Sequence, residues 1–188
     1  MSLVHPEVYS PAEDTHLLLE AALRVLRPSD RVLEIGTGSG EIAAGLQPMA
    51  DKIVATDINP HAAAMAFSRG VPVIRTDLFS GISGTFDLII FNPPYLPTGE
   101  GERIDDWLEY ALDGGEDGRR TIQRFLEAAL NHLTVQGRIL LLVSSLTGIA
   151  EVSSLFTEAN MITFTVAEER CEGEQLIVLL GMRDLCRV

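Results

Sequence analysis

Short apolar runs alternate along the chain with segments in which apolar residues recur every three or four positions. A buried strand appears as a continuous apolar run, whereas a helix packed on one face shows the wider spacing. Seven runs fit strands, namely Arg31–Ile35, Lys52–Thr56, Val71–Arg75, Phe86–Phe91, Arg138–Ser144, Met161–Ala167 and Gln175–Leu180. Helical patterns occupy Gly40–Gln47, His61–Ser68, Gly118–His132 and Gly148–Glu158. The alternation predicts an α/β fold: a seven-stranded, mostly parallel sheet with helices on both faces.

The two ends of this pattern carry local signals. A turn at Glu172–Gly173 alone separates the last two strands, and a parallel return needs a dozen or more residues, so we expect an antiparallel C-terminal hairpin. Before the first strand, Ser10 is predicted to cap a helix that begins at Pro11, with Glu13 as its capping-box partner. From spacing alone, Glu13 and Asp14 are interpreted as first-turn acids that favour the helix dipole.

Size and composition narrow the class of protein. A chain of 188 residues predicts one domain, residues 1–188, and its apolar runs are too short to span a membrane. The net charge of −13 disfavours nucleic-acid binding, because Arg119, Arg120 and Arg124 form the only basic cluster. Cys171 and Cys186 are the only cysteines, and the first residues do not resemble a secretory signal. We therefore expect a cytoplasmic protein without a metal site of its own.

A glycine-rich turn follows the first predicted strand. Glycines at Gly36, Gly38 and Gly40 let a ligand approach the backbone, but Glu41 stands where the dinucleotide fingerprint needs its third glycine. Glu34, at the end of the strand, would repel a pyrophosphate and suits a ligand with positive charge. S-adenosylmethionine (SAM) carries an ammonium and a sulfonium and no phosphate.

Two more acids end the next two predicted strands. Asp57 lies where an acid binds a ribose diol in such folds, although it could also cap the helix that begins after Asn59. Asp77 follows the third strand, where contact with an adenine edge is expected, although alone it fits an ordinary loop acid. With Glu34, the three acids favour SAM over NAD.

The segment Asn92–Tyr95, Asn-Pro-Pro-Tyr, directly follows the fourth predicted strand. It could be a rigid turn, but after a buried strand and opposite the glycine turn it also suits catalysis. The side-chain oxygen of Asn92 and the main-chain oxygen of Pro93 can accept the two N–H groups of a planar NH₂. They would stabilise the positive charge that builds on its nitrogen during methyl transfer. Tyr95 offers an aromatic face beside that group.

Five segments resemble the HemK-type protein glutamine N5-methyltransferases, in the short branch of eukaryotic and archaeal members. They are Val8–Thr15, Glu34–Gly40, Thr56–Pro60, Asn92–Tyr95 and Gly114–Arg119. The resemblance implies a class I, Rossmann-like methyltransferase that uses SAM to methylate the glutamine amide in the Gly-Gly-Gln loop of a class I translation release factor. By motif, Asn92, Pro93 and Tyr95 would be catalytic, and the SAM pocket would be lined by Tyr9, Thr15, Glu34, Gly36, Gly38, Asp57, Ile58, Asp77, Leu78 and Asn92.

The resemblance also implies a partner. Bacterial members carry a helical N-terminal recognition domain, whereas seven residues precede Val8 here, and members of the short branch pair with a small zinc-binding activator subunit. The apolar segment Val71–Ile74 is expected at an edge of the sheet, where such a partner could add a strand. The alternative is a covered edge in a self-sufficient monomer.

Other functions remain open at this point. The acceptor could be a protein lysine, or adenine N6 in nucleic acid, although the net charge disfavours the latter. The chain could also be a non-catalytic SAM-binding subunit, against which the intact Asn92–Tyr95 motif argues.

Overall fold

The computed structural model describes residues 4–99 and 106–186. Its strands form one sheet, and their bounds are β1 Arg31–Ile35, β2 Lys52–Asp57, β3 Val73–Arg75, β4 Phe86–Phe91, β5 Leu133–Ser144, β6 Met161–Cys171 and β7 Glu174–Arg183. The strand order is β3-β2-β1-β4-β5-β7-β6, in which β5, β7 and β6 pair antiparallel and the other neighbours pair parallel. The predicted mostly parallel sheet and C-terminal hairpin are confirmed.

Helices flank this sheet on both faces, as predicted. Their bounds are α1 Glu13–Val25, α2 Glu41–Leu46, α3 Pro60–Ser68, α4 Glu109–Leu112, α5 Arg120–Ala129 and α6 Ile149–Glu158, with 3₁₀ turns at Leu130–His132 and Ser145–Thr147. Helices α1 and α2 pack on one face of the sheet, whereas α5 and α6 pack on the other. None of these helices has the length and apolar character needed to cross a membrane.

The order in which successive strands are added to the sheet reverses between β1 and β4. Strands β2 and β3 follow β1 on one side, and β4 returns to its other side. In such sheets a crevice opens beyond the carboxyl ends of the two strands where the order reverses. The register pairs Ile35 with Phe91, so the turn that begins at Gly36 and the motif that begins at Asn92 leave the sheet side by side.

The predicted start of α1 is wrong. The helix begins at Glu13, and its N-cap is Ala12, which makes no side-chain capping bond. The chain before it stays extended, because the hydroxyl of Tyr9 donates a hydrogen bond to Asp14 and holds this segment against the first turn. Ser10 is left exposed and does not cap.

The third strand is shorter than expected. It begins at Val73 rather than Val71, because Pro72 has no N–H to donate and joins the sheet only through its carbonyl, which accepts from Ala55 N at 2.8 Å. Its position at the edge of the sheet is as predicted.

A buried ion pair at the opposite end of the sheet from the crevice gives a test of stability. Asp30, just before β1, pairs with Arg138 of β5, and both side chains are buried. We expect Asp30→Asn to lower the free energy of unfolding by about 3–5 kcal/mol, because it leaves a buried guanidinium without its counter-charge. Glu20→Gln, which breaks the exposed pair with Arg24, is the matched control and should cost about 0.5 kcal/mol or less. Urea unfolding measures both, and equal costs would contradict the assignment.

Candidate active site

The crevice holds a cavity of about 860 Å³. Every residue predicted for the cofactor or for catalysis lines it, namely Tyr9, Thr15, Glu34, Gly36, Gly38, Asp57, Ile58, Asp77, Leu78, Asn92, Pro93 and Tyr95. The structure therefore brings together in one site residues from β1 and the turn after it, from the end of β2, from the segments after β3 and β4, and from the start of α1 and the segment before it.

The glycine turn between β1 and α2 packs closely against the rest of the protein. Gly36, Gly38 and Gly40 all have positive φ, which glycine adopts without strain. A Cβ at Gly40 would lie 2.8 Å from the Cα of Ala66, so α3 can approach the turn only because this position is glycine. The amide of Gly38 donates to the Asp57 carboxylate at 2.8 Å and ties the turn to β2.

Glu34 is a buried acid at the end of β1, with only 2% of its surface exposed. Its Oε2 accepts hydrogen bonds from the Thr37 hydroxyl at 2.6 Å and from Ala43 N at 3.0 Å. Burial raises the pKa of Glu34 to about 8, and the two hydrogen bonds offset only part of that shift. No ion pair to a basic side chain of residues 4–99 or 106–186 is found for it, so a ligand that brings positive charge would relieve this cost.

Asp57 orders the end of β2. Its Oδ1 accepts from Asn59 N and its Oδ2 from Gly38 N, both at 2.8 Å. Burial raises its pKa, although these backbone hydrogen bonds act in the opposite direction. The capping role that Asp57 could have had belongs to Asn59, whose side-chain oxygen accepts from His61 N. Each carboxylate oxygen keeps a further lone pair for a ligand hydroxyl such as a ribose diol.

Asp77 and Leu78 line the side of the cavity after β3. The carboxylate of Asp77 is half-exposed and accepts from Arg124 of α5 at 2.6 Å. Leu78 has φ +48, a left-handed conformation that costs a non-glycine residue free energy and is typical of functional sites. The Arg124 partner was missed, because nothing in the sequence pairs α5 with the loop after β3.

Asn92 is the central polar residue of the crevice. Its Nδ2 donates to Oδ2 of Asp14 at 3.0 Å, whereas its Oδ1 is buried and has no hydrogen-bond partner. A buried acceptor without a partner costs about 1–3 kcal/mol, so its presence calls for a ligand that donates. This is the arrangement expected of a group that holds a substrate N–H.

The glycine-rich loop Gly114–Arg119 supports the Asn-Pro-Pro-Tyr segment from behind. Gly118 has φ +72, and a Cβ there would collide with the carbonyl oxygen of Tyr95. The residue after that tyrosine, Leu96, donates to Leu112 O at 3.0 Å and accepts from Gly114 N at 2.9 Å. The loop therefore fixes the path of the chain as it leaves β4.

Asp14 is a functional candidate that the sequence analysis interpreted as a dipole acid. The residue does lie in the first turn of α1, but it is 3% exposed and contacts Asn92. A signal was present in its spacing: Asp14 shares one helix face with Leu17, Leu18 and Ala21, which predicts burial for an acid at this position.

Trp107, an aromatic residue after β4, also lines the cavity, and the sequence analysis did not predict it. The ring of Trp107 lies 5.2 Å from that of Tyr110 in a tilted arrangement, and the Arg75 guanidinium lies 5.6 Å from the centre of the Trp107 ring. Its backbone N–H donates to the Glu7 carboxylate at 3.3 Å, which joins this wall to the N-terminal segment. In the described ranges, no group of three or more His, Cys, Asp or Glu side chains could hold a metal ion.

Comparison with known proteins assigns the family. The methyltransferase small domain matches residues 3–104. A Methanocaldococcus jannaschii protein, provisionally named a protein N5-glutamine methyltransferase, is 41% identical over 96% of this chain and 94% of its own length. The chain belongs to the HemK-type protein N5-glutamine methyltransferases. Methyltransferase HEMK2 of Homo sapiens is 34% identical over 92% of this chain and 88% of its own. The release factor glutamine methyltransferase of Deinococcus radiodurans is 37% identical over 67% of this chain and 49% of its own length.

Solved structures agree with this HemK-type assignment. The E. cuniculi Mtq2–Trm112 complex, described as responsible for methylation of the eRF1 translation termination factor, is 30% identical with a TM-score of 0.79. The aligned region covers 94% of this chain and 99% of the matched chain in the solved structure. The N-methyltransferase NodS, solved with S-adenosyl-L-homocysteine, is 17% identical with a TM-score of 0.64, and it shows the class I Rossmann-like fold alone.

A methyltransferase domain needs a methyl donor, and the sequence predicts SAM for this role. The donor set fits it, since Glu34 is a buried acid that gains from a cation and Asp57 keeps lone pairs for a ribose. When bound, SAM supplies a methyl group on a positively charged sulfur.

The raised pKa of Glu34 gives a prediction of stability against pH. Between pH 4.5 and 8 the folded protein keeps the Glu34 proton that the unfolded chain has lost, so stability falls as the pH rises through this window. The slope from this group is up to about 1.4 kcal/mol per pH unit. Glu34→Gln removes it, so the variant should gain stability relative to the wild type between pH 5.5 and pH 8 in thermal unfolding.

The same variant, Glu34→Gln, should bind SAM about tenfold more weakly, because a charge-assisted contact is lost.

Glu20→Gln, which changes an exposed acid, is the control for the stability measurement, and its difference in stability from the wild type should not depend on pH. A Glu34→Gln difference that does not change with pH would contradict the buried, protonated state.

Proposed function

We propose that this chain transfers the methyl group of SAM to the side-chain amide nitrogen of a glutamine, in the Gly-Gly-Gln loop of a class I translation release factor. Residues 1–188 act as one methyltransferase domain in this proposal. The observation that carries it is the buried, unpartnered Oδ1 of Asn92 beside the glycine turn. The names of the relatives that share the chain's length support the same activity.

The chemistry follows from two oxygens. An amide nitrogen is planar and a poor nucleophile, so it needs acceptors that stabilise the positive charge developing on it. Asn92 Oδ1 and the carbonyl of Pro93 accept its two N–H groups, and Tyr95 packs beside it. In-line positioning against the sulfonium supplies much of the remaining rate, as it does in other well-oriented reactions. The cofactor is held by Tyr9, Thr15, Glu34, Gly36, Gly38, Asp57, Ile58, Asp77, Leu78 and Asn92.

The protonation states of the side chains in the site favour an amide over a lysine as the methyl acceptor. A lysine acceptor must lose a proton before it attacks, so it needs a base at neutral pH. Burial raises the pKa of both Tyr9 and Tyr95, which keeps their phenols protonated and unable to accept that proton. The Asp14 carboxylate already accepts from three neighbouring residues. A neutral amide does not have to lose a proton before it attacks; its nitrogen releases one N–H proton to solvent only after the methyl group has been transferred, and S-adenosylhomocysteine is the leaving group.

The remaining alternatives have less support. Adenine N6 would bring a polyanion to a chain of net charge −13. A non-catalytic SAM-binding subunit has no use for a buried amide oxygen without a partner, which costs stability when no substrate donates to it.

A partner surface is proposed at the β3 edge of the sheet. Phe67 and Ile74 are 71% and 47% exposed beside this short edge strand, so apolar side chains flank backbone groups able to pair with another strand. The solved relative is itself a two-protein complex. We propose that a small zinc-binding activator adds a strand here, and that the pair acts on release factor in the cytoplasm.

Removal of the Asn92 amide tests the activity. We expect Asn92→Ala to abolish methyl transfer to purified release factor, because the acceptor NH₂ loses one of its two hydrogen-bond acceptors. SAM affinity should stay within about threefold by calorimetry, which separates loss of chemistry from loss of cofactor. Mass spectrometry of the wild-type product should find the methyl group on glutamine. A methylated lysine or adenine would refute the substrate assignment, and undiminished transfer by Asn92→Ala would refute the role of Asn92.

A charge at the β3 edge tests the partner. Ile74→Asp should reduce co-purification with the small zinc-binding subunit at least tenfold, because a desolvated carboxylate opposes strand addition. The matched control is Ile162→Asp on β6, the other edge strand, where the side chain is 42% exposed. Equal loss in both variants, or no loss in either, would contradict a partner site on β3.

A further inference from the structure

The first turn of α1 holds a carboxylate whose two oxygens serve different groups. Oδ1 of Asp14 accepts from the backbone N–H of Thr15 at 2.6 Å and from its hydroxyl at 3.2 Å. Oδ2 accepts from the Tyr9 hydroxyl at 3.1 Å and from Asn92 Nδ2 at 3.0 Å. One oxygen therefore serves the start of the helix, and the other holds Tyr9 and Asn92, which line the cavity.

Oδ2 of Asp14 determines the orientation of the Asn92 side-chain amide. A carboxylate only accepts hydrogen bonds, so it selects the NH₂ end of a neighbouring amide and turns away the carbonyl end. This choice leaves Oδ1 as the amide atom of Asn92 that makes no hydrogen bond, in a residue that lines the cavity. In the opposite orientation, the Asn92 amide would direct its N–H groups at the NH₂ group that accepts the methyl, so two hydrogen-bond donors would face each other.

Burial makes this choice energetically strong. Asp14 is 3% exposed, and no ion pair to a basic side chain of the described residues is found for it. At a position with so little exposure, a carboxylate facing an amide oxygen is less favourable than one facing an amide N–H, because water screens the repulsion only weakly.

We propose that Asp14 is a positioning residue that fixes the orientation of the Asn92 amide, so that Oδ1 is available to the acceptor NH₂. This inference rests on the proposed function for its effect on rate, but the orientation itself can be measured without catalysis. Asp14 acts through Asn92 and does not touch the reacting atoms.

Asp14→Asn is the test variant, and Glu13→Gln is its matched control. The asparagine has nearly the same shape but carries an NH₂ group, so in either orientation a donor faces a donor, at Asn92 or at Thr15. Glu13 is the neighbouring exposed acid in the same first turn, and its change removes the same charge from the helix end. A role limited to the helix dipole predicts similar effects in both variants.

Steady-state assays use the full chain with release factor and, if the complex forms, its partner subunit. We expect Asp14→Asn to lower kcat by about 30-fold or more, which is the scale at which lost transition-state contacts act. The Kd for SAM should change less than about threefold, and Glu13→Gln should keep the wild-type kcat. A loss confined to KM, or equal losses in the two variants, would overturn the proposal.

Side-chain amide NMR decides the orientation independently of turnover. The Asn92 NH₂ signals are assigned by their absence in Asn92→Ala, and one proton should be shifted downfield by the carboxylate in the wild type. That shift should persist in Glu13→Gln and disappear in Asp14→Asn. If the wild-type chain binds SAM but does not methylate release factor, the proposed function fails while the NMR result still decides the role of Asp14. Absence of the shift in the wild type would overturn the proposal even if Asp14→Asn does not fold.

Discussion

The parallel pairing of β1 with β4 is the constraint on which the site depends. Because Ile35 and Phe91 are register partners, the two chains leave the sheet as neighbours, one as the glycine turn and the other as the Asn-Pro-Pro-Tyr segment. The contact is close: a Cβ at Gly36 would lie 3.3 Å from the ring of Phe91. The turn proposed to hold the cofactor and the segment proposed to hold the acceptor thereby lie at adjacent strand ends.

The site retains buried acids that the fold alone does not need. Glu34, Asp57 and Asp14 are all nearly inaccessible, and burial raises the pKa of the first two. Such groups oppose folding, and they are tolerated where a ligand or a substrate gains from them. The ion pair of Asp30 with Arg138, at the far end of the sheet, has its counter-charge inside the protein. The difference separates residues kept for function from residues kept for structure.

Much of the architecture was predictable because the central strands contain short apolar runs bounded by turn residues, whereas β5 and β6 extend into polar sequence beyond their predicted bounds. β1 and β4 match their predicted bounds, and the hairpin follows from the short turn at Glu172–Gly173. The predicted site residues line one cavity because the carboxyl ends of parallel strands converge. The contact of Asp14 with Asn92 joins residues 78 positions apart and depends on how α1 crosses the sheet, which local spacing does not encode. The misplaced Ser10 cap has the same origin, since a tertiary contact of Tyr9 overrides the local capping preference.

The short edge strand β3 has a consequence for handling the protein. Within the described part of the chain it pairs with β2 alone, and Phe67 and Ile74 stand exposed beside its free side. Open ladder groups next to apolar side chains template self-association, so the isolated polypeptide is liable to aggregate as its concentration rises. The strand spans only three residues, which limits how many hydrogen bonds such a misassembly can gain. Co-expression with a subunit that covers this edge would therefore improve the yield of dispersed material.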